Sequence, residues 1–406
     1  MPSDWILVPT TQSSATRRLR VLVLNWRDTG HPEAGGSEVY AESVADGLAQ
    51  RGHEVTLLTA RHEGAPERTI RPSGARVLRR GGRLSVYAYA ALAHLRRETG
   101  RPEVILETQN GVPYLARLWA PRTAHVVLVH HVHREQWPVV FGPTMARVGW
   151  AIESRVAPWV NRRRPYVAVS EVTRTELQAQ GIDSERVTVI HNGTIRPPAR
   201  DVARTEHPSL LVIGRLVPHK RVEIALRSLA ALLPQFPDLR LTIAGRGWWE
   251  DEVQAEIARL GLTDQVDFRG FVSDEERHEL YASHWISLVP SLKEGWGLVV
   301  VEAGLHQTPT IAFESAGGVA ESIVDGSTGR LAHADDEADF TRLVAELLTD
   351  APRRRSLGQA AAQFASTFTW DATVDAYERL FLQALGASAP ARRSVRVGTE
   401  QAHLEP

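Results

Sequence analysis

Short apolar runs alternate with helix-forming stretches along this chain, and they do so twice, on either side of a polar segment containing three prolines. No other feature constrains the fold as much, because strand–helix–strand units need a long crossover and therefore build parallel sheets. The first unit opens with the β-rich run Leu19 to Trp26. The glycine turn AGGSE follows, then a helical pattern from Ser37 to about Gln50 with Ser37 as its expected N-cap, and then the buried run His53 to Ala60. Further strands are expected at Val104 to Thr108, Ala124 to Val129, Tyr166 to Val169 and Val187 to Ile190. The segment from Thr194 to Pro208 can continue neither a helix nor a central strand, so the boundary falls there. Beyond it the pattern restarts with LLVIG, a helix from Lys220 to Leu233, LRLTIAG and a helix from Glu250 to Leu260. VDFRG, a helix over Asp274 to Ser283, WISLVP, a helix from about Gly297 to His306 and TIAF complete it.

The expectation is an α/β chain of two doubly wound, Rossmann-like domains facing each other across a cleft. Residues 19–195 form the first and 209–368 the second, with a disordered leader over 1–18. The stretch 369–386 is amphipathic and helical, and 387–406 lacks periodicity and reads as a disordered tail. The length of 406 residues suits two cores rather than one. A net charge of −1 offers no broad field for nucleic acid phosphates, so nucleic acid is not an expected partner. The chain has no cysteine, which excludes disulfides, thiolate catalysis and cysteine-based zinc sites and suits a reducing cytoplasm. No run approaches the ~20 apolar residues that cross a bilayer, so any membrane contact would be peripheral.

Parallel open sheets bind ligands at the C-terminal ends of their strands. After LLVIG comes GRLVPHKR, which sets Gly214, Arg215 and Lys220 between a strand end and a helix start. Free N–H groups and the helix dipole already favour an anion there, and a guanidinium fork beside a mobile ammonium reads as a diphosphate clamp. Solvated loop cations are the plain alternative. Of 47 basic residues only Lys220 and Lys293 are lysine, which singles out Lys220. After WISLVP comes KEGWGLVVVEAG, where Glu294, Gly295, Trp296 and Gly297 form a turn that opens a helix running through Leu298 and Val299 to Glu302. A carboxylate accepts two hydroxyls at once, so Glu302 suits a ribose diol and Glu294 a sugar at the mouth.

The pattern G-R-x4-K followed by E-G-W-G-L-x3-E resembles the retaining glycosyltransferases of family 4, which have the GT-B fold. The likeness runs over nearly the whole chain, through AGGSE, VAVSEVTRTEL, VIHNGT, GFVSDEE, GGVAESIVDGSTGRL and the closing FTW helix. It implies that Arg215 and Lys220 bind the donor diphosphate, Glu302 the ribose and Glu294 the donor sugar. It also implies that the last helix braces the first domain. The turns at Gly214 and at Gly270, Phe271 and Val272 belong with the donor site, as do Gly295, Trp296, Gly297, Leu298 and Val299. Gly35 and Gly36 match the glycine loop that approaches phosphates or acceptor. The family has a histidine at a strand end that bonds the donor sugar, and in HHVHREQW this is His131, with His130 close behind. His130, His131 and His133 beside Glu135 could instead suggest zinc, but the chain has no Asp-x-Asp triplet and the family needs no metal. Trp248 and Trp249 replace a common family motif and are expected to pack.

The implied activity is metal-independent transfer, with retention, from a nucleoside-diphosphate sugar to a glycan, lipid or small-molecule hydroxyl. No other cofactor is required. The alternatives are a sugar-nucleotide epimerase on the same architecture and a non-catalytic nucleotide-sugar binder. Sugar, base, acceptor and oligomeric state are not specified by these residues.

Overall fold

The computed structural model describes residues 17–134, 137–195 and 202–388. Most of the expected leader and tail, Glu135 and part of the proline-containing segment therefore lie outside the described residues. Two parallel sheets carry the molecule. The first has eight strands, β1 (Arg20–Leu24), β2 (Glu54–Thr59), β3 (Arg68–Ile70), β4 (Arg76–Arg79), β5 (Val104–Gln109), β6 (Ala124–Val129), β7 (Tyr166–Ala168) and β8 (Val187–Val189), in the order β3-β4-β2-β1-β5-β6-β7-β8. The second has six, β9 (Ser209–Ile213), β10 (Arg240–Ala244), β11 (Val266–Gly270), β12 (Ile286–Val289), β13 (Thr310–Phe313) and β14 (Gly329–Ala332), in the order β11-β10-β9-β12-β13-β14. Among these strands only the β3–β4 pair is antiparallel.

Central strands are buried end to end, as in β5 and β6, because helices cover both faces of each sheet. This is why they read as continuous apolar runs. The hydrogen-bonding order reverses between β1 and β5 in one sheet and between β9 and β12 in the other, and each reversal opens a crevice at the strand ends.

Several elements differ from the sequence expectation. Strands β3, β4 and β14 carry arginines or few apolar residues and have no periodic signal. The first helix spans Gly36–Gln50, so its N-cap is Gly35 and not Ser37. The reason is Glu38, whose carboxylate reaches back 2.7 Å to accept from the Gly35 N–H. Lys220 is not helical as expected. It ends a short 3₁₀ turn, Pro218–Lys220, and the helix Val222–Leu232 begins only after Arg221, which adopts a left-handed φ of 49°.

The last helix, Trp370–Ser388, packs on Gly36–Gln50, with Val374, Tyr377, Leu380 and Phe381 completing the core of the first sheet. The Tyr40 hydroxyl lies 3.0 Å from the Ile190 carbonyl and 3.1 Å from the Tyr377 hydroxyl. Thr194 donates to the Phe368 carbonyl through both its N–H (2.9 Å) and its hydroxyl (2.8 Å), which fixes the HNGT turn to the start of that helix. Among the described residues no helix is long and apolar enough to cross a membrane.

Candidate active site

A cavity opens where the second sheet reverses, lined by Gly214, Arg215 and Lys220 after β9, Pro290 and Ser291 after β12, and Val299. Lys220 Nζ lies 2.7 Å from Glu294 Oε1, and the Ser291 hydroxyl donates to the same oxygen at 2.6 Å. Burial alone would raise the Glu294 carboxyl. The Lys220 ammonium and the Ser291 hydroxyl outweigh burial, so Glu294 titrates below the ordinary carboxylate range. His219, next to Lys220, is pushed down to about 4 by burial first and then by Lys220. It is neutral at physiological pH and adds no charge beside Lys220.

What holds Lys220 opposite Glu294 is Arg221. Its guanidinium donates to the carbonyls of Pro290 (2.9 Å) and Ser291 (3.2 Å) and to Asp335 (2.6 Å), tying the two loops together. A left-handed non-glycine backbone costs about 1–3 kcal/mol and persists where the surroundings over-determine it, as these bonds do.

Glu302 sits one turn into the helix Leu298–Leu305. It accepts from the Tyr281 hydroxyl at 3.1 Å and pairs with Arg277 at 3.6 Å. Burial pushes its carboxyl up, and Arg277 and Tyr281 offset this only in part.

The first sheet meets this cavity through its own strand-end loops. A side chain at Gly35 would come within 3.2 Å of Arg215 Nε, and one at Gly36 within 3.3 Å of Leu298. At Gly295 a Cβ would sit 2.1 Å from the His130 carbonyl oxygen, a closeness only glycine permits. Two contacts bolt the halves outside the cavity. Glu321 accepts from the N–H groups of Glu171 and Val172, at the N-terminus of the helix Glu171–Ala179, and Lys293 pairs with Glu176.

His130 is buried, edge-on to Tyr40, and its Nε2 finds no partner among the described residues; burial drives it down to about 3. His131 is half-buried, with its ring 4.1 Å from that of His133. His133 is committed to Glu153, which accepts from its N–H (3.0 Å) and lies 3.1 Å from its Nδ1, and which also accepts from Trp137 Nε1 (2.6 Å). Among the described residues no three acidic or histidine side chains gather in a way that could hold a metal ion.

Not every expected donor residue lines the cavity. The Trp296 ring is buried against His191 (4.3 Å, stacked) and Phe368, so its side chain belongs to the junction with the first sheet. Gly270 ends the edge strand β11, Phe271 and Val272 follow it, and the Phe271 ring is 76% exposed. Trp249 packs and donates to Glu223, whereas Trp248, expected to pack, is 62% exposed. Sequence reasoning missed Ser291, Arg221, His219, Tyr281, Arg277 and Glu153. The last was detectable as the lone acid in an arginine-rich stretch, but the partners of Glu302 come from a different helix and leave no local pattern.

Two open parallel sheets, a charged cavity at the reversal of one and a glycine loop closing from the other define a GT-B glycosyltransferase. Two family models agree, Glycosyltransferase Family 4 over residues 34–195 and Glycosyl transferases group 1 over 198–364, and between them they take in most of the chain. The chain belongs to the family 4 type of glycosyltransferase. It is 28% identical to D-inositol 3-phosphate glycosyltransferase of Mycolicibacterium smegmatis, with 90% of this chain and 91% of that protein aligned. By fold it is similar to sucrose-phosphate synthase of Thermosynechococcus elongatus (TM-score 0.78, 19% identity, 91% of this chain and 100% of that one). It is also similar to Anabaena HepE in complex with UDP-glucose (TM-score 0.70, 20% identity, 91% and 100%).

Proposed function

We propose that the chain moves a sugar from a nucleoside-diphosphate sugar to an acceptor hydroxyl, with retention at the anomeric carbon and without a metal ion. The observation that carries this reading is the 2.7 Å pairing of Lys220 with Glu294 on a cavity that Arg215 also lines. When donor enters, Lys220 exchanges the Glu294 carboxylate for a diphosphate oxygen and Arg215 takes the other phosphate. Glu294 is then released to accept from sugar hydroxyls. Glu302 accepts from the ribose diol, and His131, backed by His130, faces the sugar. Gly35 and Gly36 let the phosphates or the acceptor approach.

The bond from C1 to the diphosphate breaks, the acceptor oxygen bonds C1 on the same face, and its proton passes to the leaving diphosphate. Preorganised cations stabilise the charge that builds there. The closed halves orient both substrates and exclude water. The reaction belongs to the cytoplasm, where a cysteine-free chain is at home.

A uridine diphosphate sugar is the first donor to test, since the HepE structure holds UDP-glucose, and an inositol phosphate is the first acceptor, since the relatives are named for it. The test is release of nucleoside diphosphate from a panel of uridine, guanosine and adenosine sugar nucleotides, with and without acceptor and with excess EDTA. Acceptor-dependent release that survives EDTA is expected. An isomerised sugar nucleotide formed without acceptor would make the chain an epimerase, and turnover restored only by Mn²⁺ would overturn metal independence.

A further inference from the structure

From Pro143 to Val160 the chain runs as one helix with a π-helical turn, Ile152–Val156, at its middle. The turn keeps Glu153 pointing inward to His133 and Trp137. The outer side shows two stripes. Met145 (59% exposed), Val148, Val156 and Trp159 (65% exposed) follow one another at helical spacing through Ile152, so they share a face. Arg147, Arg155 and Arg162 run alongside, eight and seven residues apart, and Arg163 extends the stripe; all four are exposed.

Between residues 143 and 164 there are five arginines and a single acid, Glu153, which is fully buried. The chain as a whole has 47 basic and 48 acidic residues, so this face concentrates positive charge that the rest of the surface cancels.

We propose that this face docks on an anionic lipid surface. Trp159, Met145, Val148 and Val156 would enter the headgroup boundary while the arginines stay at phosphate level. The charge argument selects this occupant over a second copy of the chain. A twofold contact would press each arginine stripe against its own image. A polyanion such as RNA would engage the arginines but would leave the exposed tryptophan, methionine and valines unburied.

The test is co-sedimentation of the full chain with vesicles of phosphatidylcholine, with or without about 30% phosphatidylglycerol. Binding to the anionic vesicles, weakened by high salt, is expected. Each arginine near such a surface contributes on the order of fivefold. Combined Arg155→Glu, Arg162→Glu and Arg163→Glu should therefore lower partition at least tenfold, on the order of a hundredfold in low salt. Trp159→Ser should lower it separately, while Arg227→Glu, on the second half's surface, should leave it unchanged. Circular dichroism and thermal unfolding verify that each variant is folded. Equal association with neutral and anionic vesicles, no association with either, or unchanged association of the folded variants would overturn the proposal. So would loss, in Trp159→Ser, of a self-associated species seen by light scattering.

Discussion

The two halves of the molecule place their acids differently. Around the first sheet Asp28, Glu38, Glu42, Glu107 and Glu153 are all buried, with Arg27 among them, whereas among the described residues of the second half no charged side chain is buried to that degree. Glu294, paired with Lys220 of the cavity, and Glu302, one turn into the next helix, keep about a fifth of their side chains accessible or slightly less. The first half uses carboxylates as anchors for strand-end loops: Glu38 for the glycine loop, Glu153 for the histidine loop, and Glu107 for the Ala116 N–H and the Asn161 amide. On the proposed function, the second half would hold its carboxylates ready for exchange with a ligand. Residues of one type would then serve stability in one half and binding in the other, and substitutions should separate the two.

The largest effect is expected at Glu38. Replacing it with alanine leaves Arg27, whose side chain is 8% accessible, with only the exposed Glu33. Uncompensated buried charge costs about 3–5 kcal/mol, and Glu33 holds the expectation to about 3 kcal/mol in chemical denaturation. A loss below about 1 kcal/mol would remove the contrast between the halves.

Lys220→Arg should do the opposite, leaving stability intact and lowering kcat on the order of 10²-fold, because a rigid fork cannot follow the leaving diphosphate as an ammonium does. Steady-state kinetics beside Lys293→Arg decides it. Equal activity in both would end the clamp role of Lys220.

Glu107 sharpens the comparison through pH. Burial pushes it up to about 7, so the folded state binds this proton more tightly than the unfolded chain. Its contribution to stability is present below the ordinary carboxylate pKa and is lost as pH rises through about 7. Glu107→Gln removes that loss, and Asn161, whose Oδ1 has no partner among the described residues, can turn its amide to accept from the new side chain. The variant should be more stable than the parent by about 1–3 kcal/mol at pH 8, and this gain should shrink towards pH 5. Urea titrations at both values test the sign.

The smallest effect is expected at Glu302. Glu302→Gln should weaken nucleoside diphosphate binding about tenfold in calorimetry, since an amide presents one acceptor where the carboxylate presents two. Because burial raises this carboxyl, binding by the parent should begin to weaken on acidification above the ordinary carboxylate range, and the variant should lose that dependence. Unchanged affinity would take Glu302 out of the ribose site.

Much of this architecture is legible in the order of residues, because strands buried on both faces announce themselves as apolar runs. The motifs at Gly214–Lys220 and Glu294–Glu302 could be read for the same reason, each lying directly after such a run. What escapes is whatever depends on distant segments meeting. Arg277 and Tyr281 reach Glu302 from another helix, and Trp296 turns its ring to His191 across the junction. Glu38 moved the helix start by a capping bond that propensity alone does not reveal. Strands β3 and β4 pair through their backbones and an Arg79–Thr69 side-chain bond, and carry arginines that no periodicity marks as strand.

Glu321, finally, gives the second half a carboxylate that serves as the anion for the first half's helix Glu171–Ala179. When the cleft opens, water can solvate both the bare helix end and the freed carboxylate, so the net cost of parting them is small, about 1–2 kcal/mol. The contact therefore works as a detent rather than a lock. On the proposed function it would yield once per turnover, and because its partners are fixed in direction it would return the halves to one register each time they close. Alignment of the two substrates would then be set partly by a contact that neither of them touches.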